Sequence, residues 1–356
     1  MAVFLFLGDV MKRKNIVFLI LLIFTVTFMA AVCLFIGSSN LKFTASVLAL
    51  FGKGEKSAVL IVRGIRLPRV LAAIICGAGL SVSGLIMQTV LNNPMASPST
   101  LGVSNAAVFG ANLSIIALSG GFVSAGKNIT ALTDKINPFA AGSMAFIFAM
   151  LSVFLILGLC KIRRFSPNVV VLSGIAIGSV FSAATTLLQF YATDTGLSAA
   201  VIWTFGDLGR ATYKTDVIML AVSVLAIVIF FAFSWQYNSL LSGEESATAL
   251  GVNVKLLRFV SMLLASLITA VCVSYLGIIG FVGIICPHIE KRFLGQNHRI
   301  SIPVSALLGS LLLLCADALS RSLGSGSAIP VGAVTALLGA PFFIAILLTG
   351  KGKHNA

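Results

Sequence analysis

The chain has 356 residues, of which 58% are hydrophobic and 10% charged, and its mean hydropathy is +1.09. Soluble domains carry about 25% charged residues, so this composition cannot cover a water-facing surface, and lipid is the expected solvent. A net charge of +14 would suggest nucleic-acid binding in a soluble protein, but here the bases lie between apolar stretches, and nucleic acid is excluded as a partner.

A helix needs roughly 17–25 apolar residues to cross the hydrocarbon. Ten stretches answer to this, near 16–37, 69–90, 102–119, 138–160, 169–191, 216–235, 257–277, 281–295, 302–322 and 331–349. The eighth is short and contains Pro287. A membrane β-barrel would alternate polarity over segments of about ten residues, whereas Ile16–Ile36 is continuously apolar. The expected fold is therefore all-α and polytopic, with about ten transmembrane helices. It has one membrane domain over 16–349, an N-terminal segment 1–15 and a tail 350–356.

Lys12, Arg13 and Lys14 resemble the start of a signal peptide. The apolar run after them exceeds the ~7–15 residues of a cleaved signal, and Ala30-Ala-Val-Cys33 is a poor lipoprotein cleavage site. The first stretch is read as a retained span, and Met11 as a natural start. Small residues such as Gly77–Gly84 and Ser173–Gly178 suit close helix packing. Asn92–Pro98 and Gly283–His288 interrupt two spans in a similar style, as broken helices do in transporters. The six cysteines are scattered without metal-ligand spacing and read as small core residues.

The sequence contains no engine. Phe51–Ser57 resembles a phosphate loop, but Gly52-Lys53 is followed by Gly54 and Lys56-Ser57 is preceded by Glu55. The backbone cradle needs Gly-Lys-Ser/Thr, so this stretch is a turn. Asp317 and Arg321 share one helix face, and His288 and Glu290 lie in the eighth span. Together they are too few for a proton relay. Between the sixth and seventh spans, Ser242-Gly-Glu-Glu-Ser-Ala-Thr-Ala-Leu-Gly-Val252 reads as a short helix over about 243–250. Ser242 and Glu245 would form a capping box and Gly251 would end the helix. Its acidic start and small middle suit docking into another protein's groove.

With the N-terminus inside, 13 of the 24 bases face inward, clustered at helix ends as the positive-inside rule requires. Six of the others (Lys42, Lys53, Lys56, Arg63, Arg66 and Arg69) fall in or beside the first outer loop. Either that excess argues against the orientation, or it marks an outer face that meets an acidic partner.

Four blocks resemble the FecCD family of ABC importer permeases, which move iron-siderophores, haem and cobalamin. They are Arg66-Leu-Pro-Arg69 with Ser83–Gln88, Asn93-Pro94 and Leu101–Asn105; Leu172–Ala176 with Trp203–Gly206; Gly243–Glu245 with Leu250–Val252; and Gly280–Gly283 with Pro287-His288, Pro330–Gly332, Thr335 and Gly339–Phe342. They run in the family's order over about 60–350.

The resemblance implies a second permease subunit (identical or paralogous), two cytoplasmic ATPase subunits carrying ATP and Mg, and an external solute-binding protein. It implies no metal, cofactor or catalytic residue on this chain, and a place in the cell membrane with both termini cytoplasmic. Gly243, Glu244, Glu245, Ala247, Leu250, Gly251 and Val252 would form the helix seated on the ATPase. Arg66 and Arg69 would dock the acidic binding protein, with Arg321 as a third. Asn93, Pro94 and Met95 would stand near the inner mouth of the pathway, with Ser173, Gly174, Trp203 and Gly206 along it. Many members carry an acid before the Pro-Val-Gly block, where this chain has Ser327-Ala-Ile-Pro330. The rival classes are an ion-coupled secondary transporter, which needs buried carboxylates along a path, and a membrane-embedded enzyme, for which histidines 288, 298 and 354 form no set.

Overall fold

The computed structural model describes residues 13–35, 37, 41–119, 137–162, 166–323 and 328–349. Residues 1–12, the tail 350–356 and Ser327 lie outside the described residues.

Helices occupy all ten expected stretches. In chain order they are α1 (Arg13–Phe35), α2 (Phe43–Leu50), α3 (Lys56–Val59), α4 (Leu67–Val90), α5 (Val103–Asn112), α6 (Pro138–Ile162), α7 (Pro167–Phe190), α8 (Asp194–Thr204), α9 (Tyr213–Ala232), α10 (Ser234–Leu240), α11 (Glu244–Ala249), α12 (Val254–Leu276), α13 (Val282–Leu294), α14 (His298–Leu323) and α15 (Val331–Thr349). Seven helical runs among the described residues are long and apolar enough to cross a membrane. At 13 residues, α13 spans only about 20 Å at 1.5 Å per residue, and Pro287 lies inside it.

The connection between the first two expected spans, read from sequence as an outer loop, is largely helical from Phe43 onward. The chain is helical without a break from Lys56 to Val90, through a π-helical turn at Leu60–Arg66. That wide turn falls just before Pro68, which has no N–H to donate to the preceding turn. The expected turn at Phe51–Ser57 is present, with Gly52 at φ 75° and Gly54 at φ 101°.

The core is built around α4, which is buried over most of its length, while α1 lies at the rim. Its neighbours include α14, α12, α13 and α9. Two close approaches set this packing. A Cβ on Gly77 would collide with the Gly309 carbonyl, and a Cβ on Gly84 with the Gly283 carbonyl. Lipid gives helices no hydrophobic reason to associate, so backbone proximity of this kind supplies van der Waals contact instead. Apart from helices, the described backbone pairing includes an isolated parallel bridge, Phe205 with Ile278.

Candidate functional site

The polar chemistry gathers at the two ends of the bundle. At the end where α4 finishes, α11 stands on the surface. It is entered through Gly243 at φ 103° and left through Gly251 at φ 86°, a backbone region that suits glycine. Gly251 therefore ends the helix as expected. The Ser242–Glu245 capping box is not formed, because the residue preceding the helix is Gly243, which has no side chain to cap it, and Ser242 lies outside. Ala247 and Val252 are buried and hold α11 to the body, while Glu245 and Leu250 are exposed, Leu250 by 58%.

Glu244 turns back toward its own chain. Its carboxylate pairs with the Arg258 guanidinium, and Arg258, 4% exposed, also donates from Nε to the Val90 carbonyl at 2.8 Å. Val90 is the last residue of α4, so this carbonyl is one that helix geometry leaves unpaired.

Immediately beyond Val90, the chain turns sharply at Asn92, φ 45°. Asn93 Oδ1 accepts from the Met95 amide at 2.9 Å, which fixes the turn. Asn93 is half-buried, and Pro94 and Met95 are exposed. Asn93 and Pro94 line a cavity of about 470 Å³ together with Gln88, His288, Lys291 and Arg292. Its wall is tied across elements: Lys291 Nζ donates to Gln88 Oε1 at 2.9 Å, and His298 contacts Thr89 Oγ1 at 2.8 Å and Asn238 Oδ1 at 2.9 Å.

The opposite end holds Arg66, Arg69 and Arg321, and the structure turns all three inward. Asp317 is fully buried between Arg69 (Nε–Oδ1 2.6 Å) and Arg321 (Nη2–Oδ2 2.6 Å). Arg69 also faces Asp207 at 3.7 Å. Arg66, 4% exposed, donates to the Leu34 and Phe35 carbonyls at 2.9 and 3.1 Å. Arg321 Nη1 donates to the Cys33 carbonyl at 2.9 Å. These carbonyls form the negative end of the α1 dipole, where cations are stabilising. Read from sequence as docking groups, the three guanidiniums are paired with groups of this chain at this end of the bundle. Among the described residues, the exposed bases there include Lys42, Lys53, Lys56, Arg63 and Lys214.

The residues expected along the pathway divide in the same way. Ser173 and Trp203 are half-buried, and the Trp203 carbonyl accepts from Arg210 Nη1 at 2.8 Å. Burial lowers the Arg210 pKa, opposed by nearby Asp207. Gly174 packs against Leu101. Gly206 sits in a backbone junction, where its carbonyl accepts from the Gly332 amide at 3.1 Å and the Asp207 amide donates to Leu276 at 2.8 Å. A Cβ on Gly206 would strike the Ile278 carbonyl. Such mutual pairing is what irregular backbone needs inside a membrane protein, and it fixes Gly206 in place.

Two residues of this architecture were not legible as site residues. Arg258 looks like any base flanking a span, and Asp207 like a loop acid. A signal existed for Arg258 alone, since a cation four residues into an apolar helix needs a buried partner.

The model of the FecCD transport family matches residues 20–349. The chain belongs to the FecCD transport family. Among its FecCD relatives, a protein of Methanocaldococcus jannaschii described as an ABC transporter permease is 44% identical, over 94% of this chain and 95% of that one. A cobalamin import system permease of Halobacterium salinarum is 35% identical, over 83% and 75%. The hemin transport system permease of Yersinia pestis is 32% identical, over 98% and 99%. A solved structure described as an inward-facing metal-chelate type ABC transporter superposes with TM-score 0.78 at 28% identity, covering 94% of this chain and 99% of that one. This FecCD chain is thus a multi-pass ABC-importer permease.

Proposed function

We propose that this chain is the translocation subunit of an ATP-driven importer for a metal chelate, namely an iron-siderophore, haem or cobalamin. Support for the cargo class comes from the relatives named for hemin and cobalamin and from the metal-chelate type structure. On this reading the chain pairs with a second permease subunit and binds no metal or cofactor of its own. Two ATPase subunits, carrying ATP and Mg, meet it at the cytoplasmic face, and an external binding protein delivers the cargo. Both termini lie in the cytoplasm, on the same side as α11 and the Asn93 turn. Ser173 and Trp203 stand along the pathway. Docking of the binding protein falls to exposed bases that include Lys42, Lys53, Lys56, Arg63 and Lys214, because Arg66, Arg69 and Arg321 are occupied within the chain.

The observation that carries this reading is α11. It is short and bracketed by two glycines. It is anchored by Ala247 and presents Glu245 and a largely exposed Leu250 at a polar end of the molecule. A connector needs no such display, whereas a helix seated in a partner's groove does. The variant Glu245→Lys with Leu250→Asp changes only exposed side chains. It is expected to leave the chain folded in detergent and to abolish co-purification of the ATPase subunits. Undiminished co-purification would overturn the role of α11. An ion-coupled transporter is disfavoured because the buried carboxylates Asp216, Glu290 and Asp317 sit near helix ends rather than along a path, and Asp317 is held by two arginines.

A further inference from the structure

Two features of the proposed machine lie side by side in the fold: the helix expected to receive the ATPase stroke and the turn expected to form the inner mouth. The backbone joins them poorly. Along the chain, Val90 and Glu244 are separated by α5 to α10. Both backbone connections of α11 pass through glycines at positive φ, Gly243 and Gly251. These two points are where the backbone of α11 is least constrained, while buried Ala247 packs the helix against the body.

Arg258 adds a polar tie to the packing of Ala247 and Val252. It lies in the second turn of α12, just beyond the link 250–253 that carries the last turn of α11 into α12. Its Nη2 meets Glu244, the first residue of α11. So α11 is held at its far end by an ion pair and at its near end by the chain. From the same guanidinium, Nε donates to the Val90 carbonyl at 2.8 Å, and Val90 leads directly into Asn92 and Asn93. The Glu244 side chain is 55% exposed and that of Arg258 5%, so the contact reaches from surface to core. Both contacts are made by one rigid, planar guanidinium, so a pull on Glu244 is felt at the Val90 carbonyl. The two attachments therefore move together.

We propose that Arg258 is the positioning residue that transmits displacement of α11 to the end of α4, and so to the Asn93–Pro94–Met95 turn. The inference rests on the proposed roles of α11 and of that turn, and it identifies the side chain through which one acts on the other. Glu244 then belongs to the transmission rather than to the contact with the ATPase, which is left to Glu245 and Leu250.

The test uses the complete transporter, this chain with its ATPase subunits, in proteoliposomes. Met95, 49% exposed, is replaced by cysteine as a reporter, with labelling judged against the parent chain. Its reactivity toward a hydrophilic maleimide is measured with and without ATP plus vanadate, alongside ATP hydrolysis. In the reporter chain, trapping the nucleotide is expected to change the labelling rate several-fold. In Arg258→Lys, which replaces the rigid fork by a single flexible ammonium, hydrolysis and assembly persist and the nucleotide-dependent change is lost. Glu244→Gln, a substitution at a half-exposed side chain that leaves the Val90 bond intact, is expected to reduce the change, and it decides the matter should Arg258→Lys fail to assemble. A full nucleotide-dependent change in Glu244→Gln, or in an assembled Arg258→Lys, would overturn the proposal while leaving the importer reading intact. Absence of ATPase subunits from the unmodified chain would instead sink that reading. A purely structural role for Arg258 would lower stability without uncoupling hydrolysis from the reporter.

Discussion

Asp317 shows how a single carboxylate can redirect the reading of three arginines. Arg69 and Arg321 each approach it to 2.6 Å, and Arg66 and Arg321 reach the last carbonyls of α1. Replacing Asp317 with Asn would remove the buried charge that pairs with both Arg69 and Arg321, at a cost of about 3–5 kcal/mol. A marked fall in the thermal unfolding midpoint is expected, whereas Lys53→Glu at the exposed rim should leave the midpoint unchanged. Equal midpoints for Asp317→Asn and the parent chain would show that the cluster is not structural. The i,i+4 spacing of Asp317 and Arg321 made that pair legible in the sequence. Arg69 lies 248 residues from Asp317, and the charge of a residue does not reveal which side of a helix its partner occupies. The same limit hid the Glu244–Arg258 pair.

Among the elements, those governed by backbone rules were the most legible. Gly251 ended α11 where its conformational freedom predicted, and the Asn92–Pro98 turn ended α4. The entry to α11 was misread because a Ser-x-x-Glu pattern competes with a glycine one residue later, and the glycine, at φ 103°, sets the geometry. The run from Lys56 to Val90 began earlier than its hydropathy suggested, because Arg63 and Arg66 dilute the apolar signal without breaking the helix. Small-residue packing was readable as a tendency, though not as a pairing: Gly84 meets Gly283 and Gly77 meets Gly309. Gly84→Ala should overpack the α4–α13 contact by about 1–3 kcal/mol and lower the midpoint of thermal unfolding in detergent. Gly158, which has open space around it, is the control expected to tolerate alanine. A neutral Gly84→Ala would mean that the two helices are further apart than described.

The whole molecule has one polar end organised around α11 and Asn93, and another organised around Asp317, with α4 running between them. A cysteine at Lys56 should react with an impermeant thiol reagent in intact cells, since the exposed basic rim belongs outside on the proposed orientation. Labelling only after lysis would invert the topology. The family and the membrane class were readable from motif order and apolar length alone, whereas the cargo was not, because relatives that share this chain's family are named for different chelates. The central claim is that transport is driven by ATP hydrolysis delivered to this chain by its partners. It is tested most directly by reconstituting the chain with its ATPase subunits and binding protein in proteoliposomes and following uptake of labelled ferric siderophore, haem and cobalamin. Uptake of one of these chelates that requires ATP and persists when ionophores collapse every ion gradient is the predicted result. Uptake that proceeds without ATP and stops when a gradient is dissipated would contradict the account.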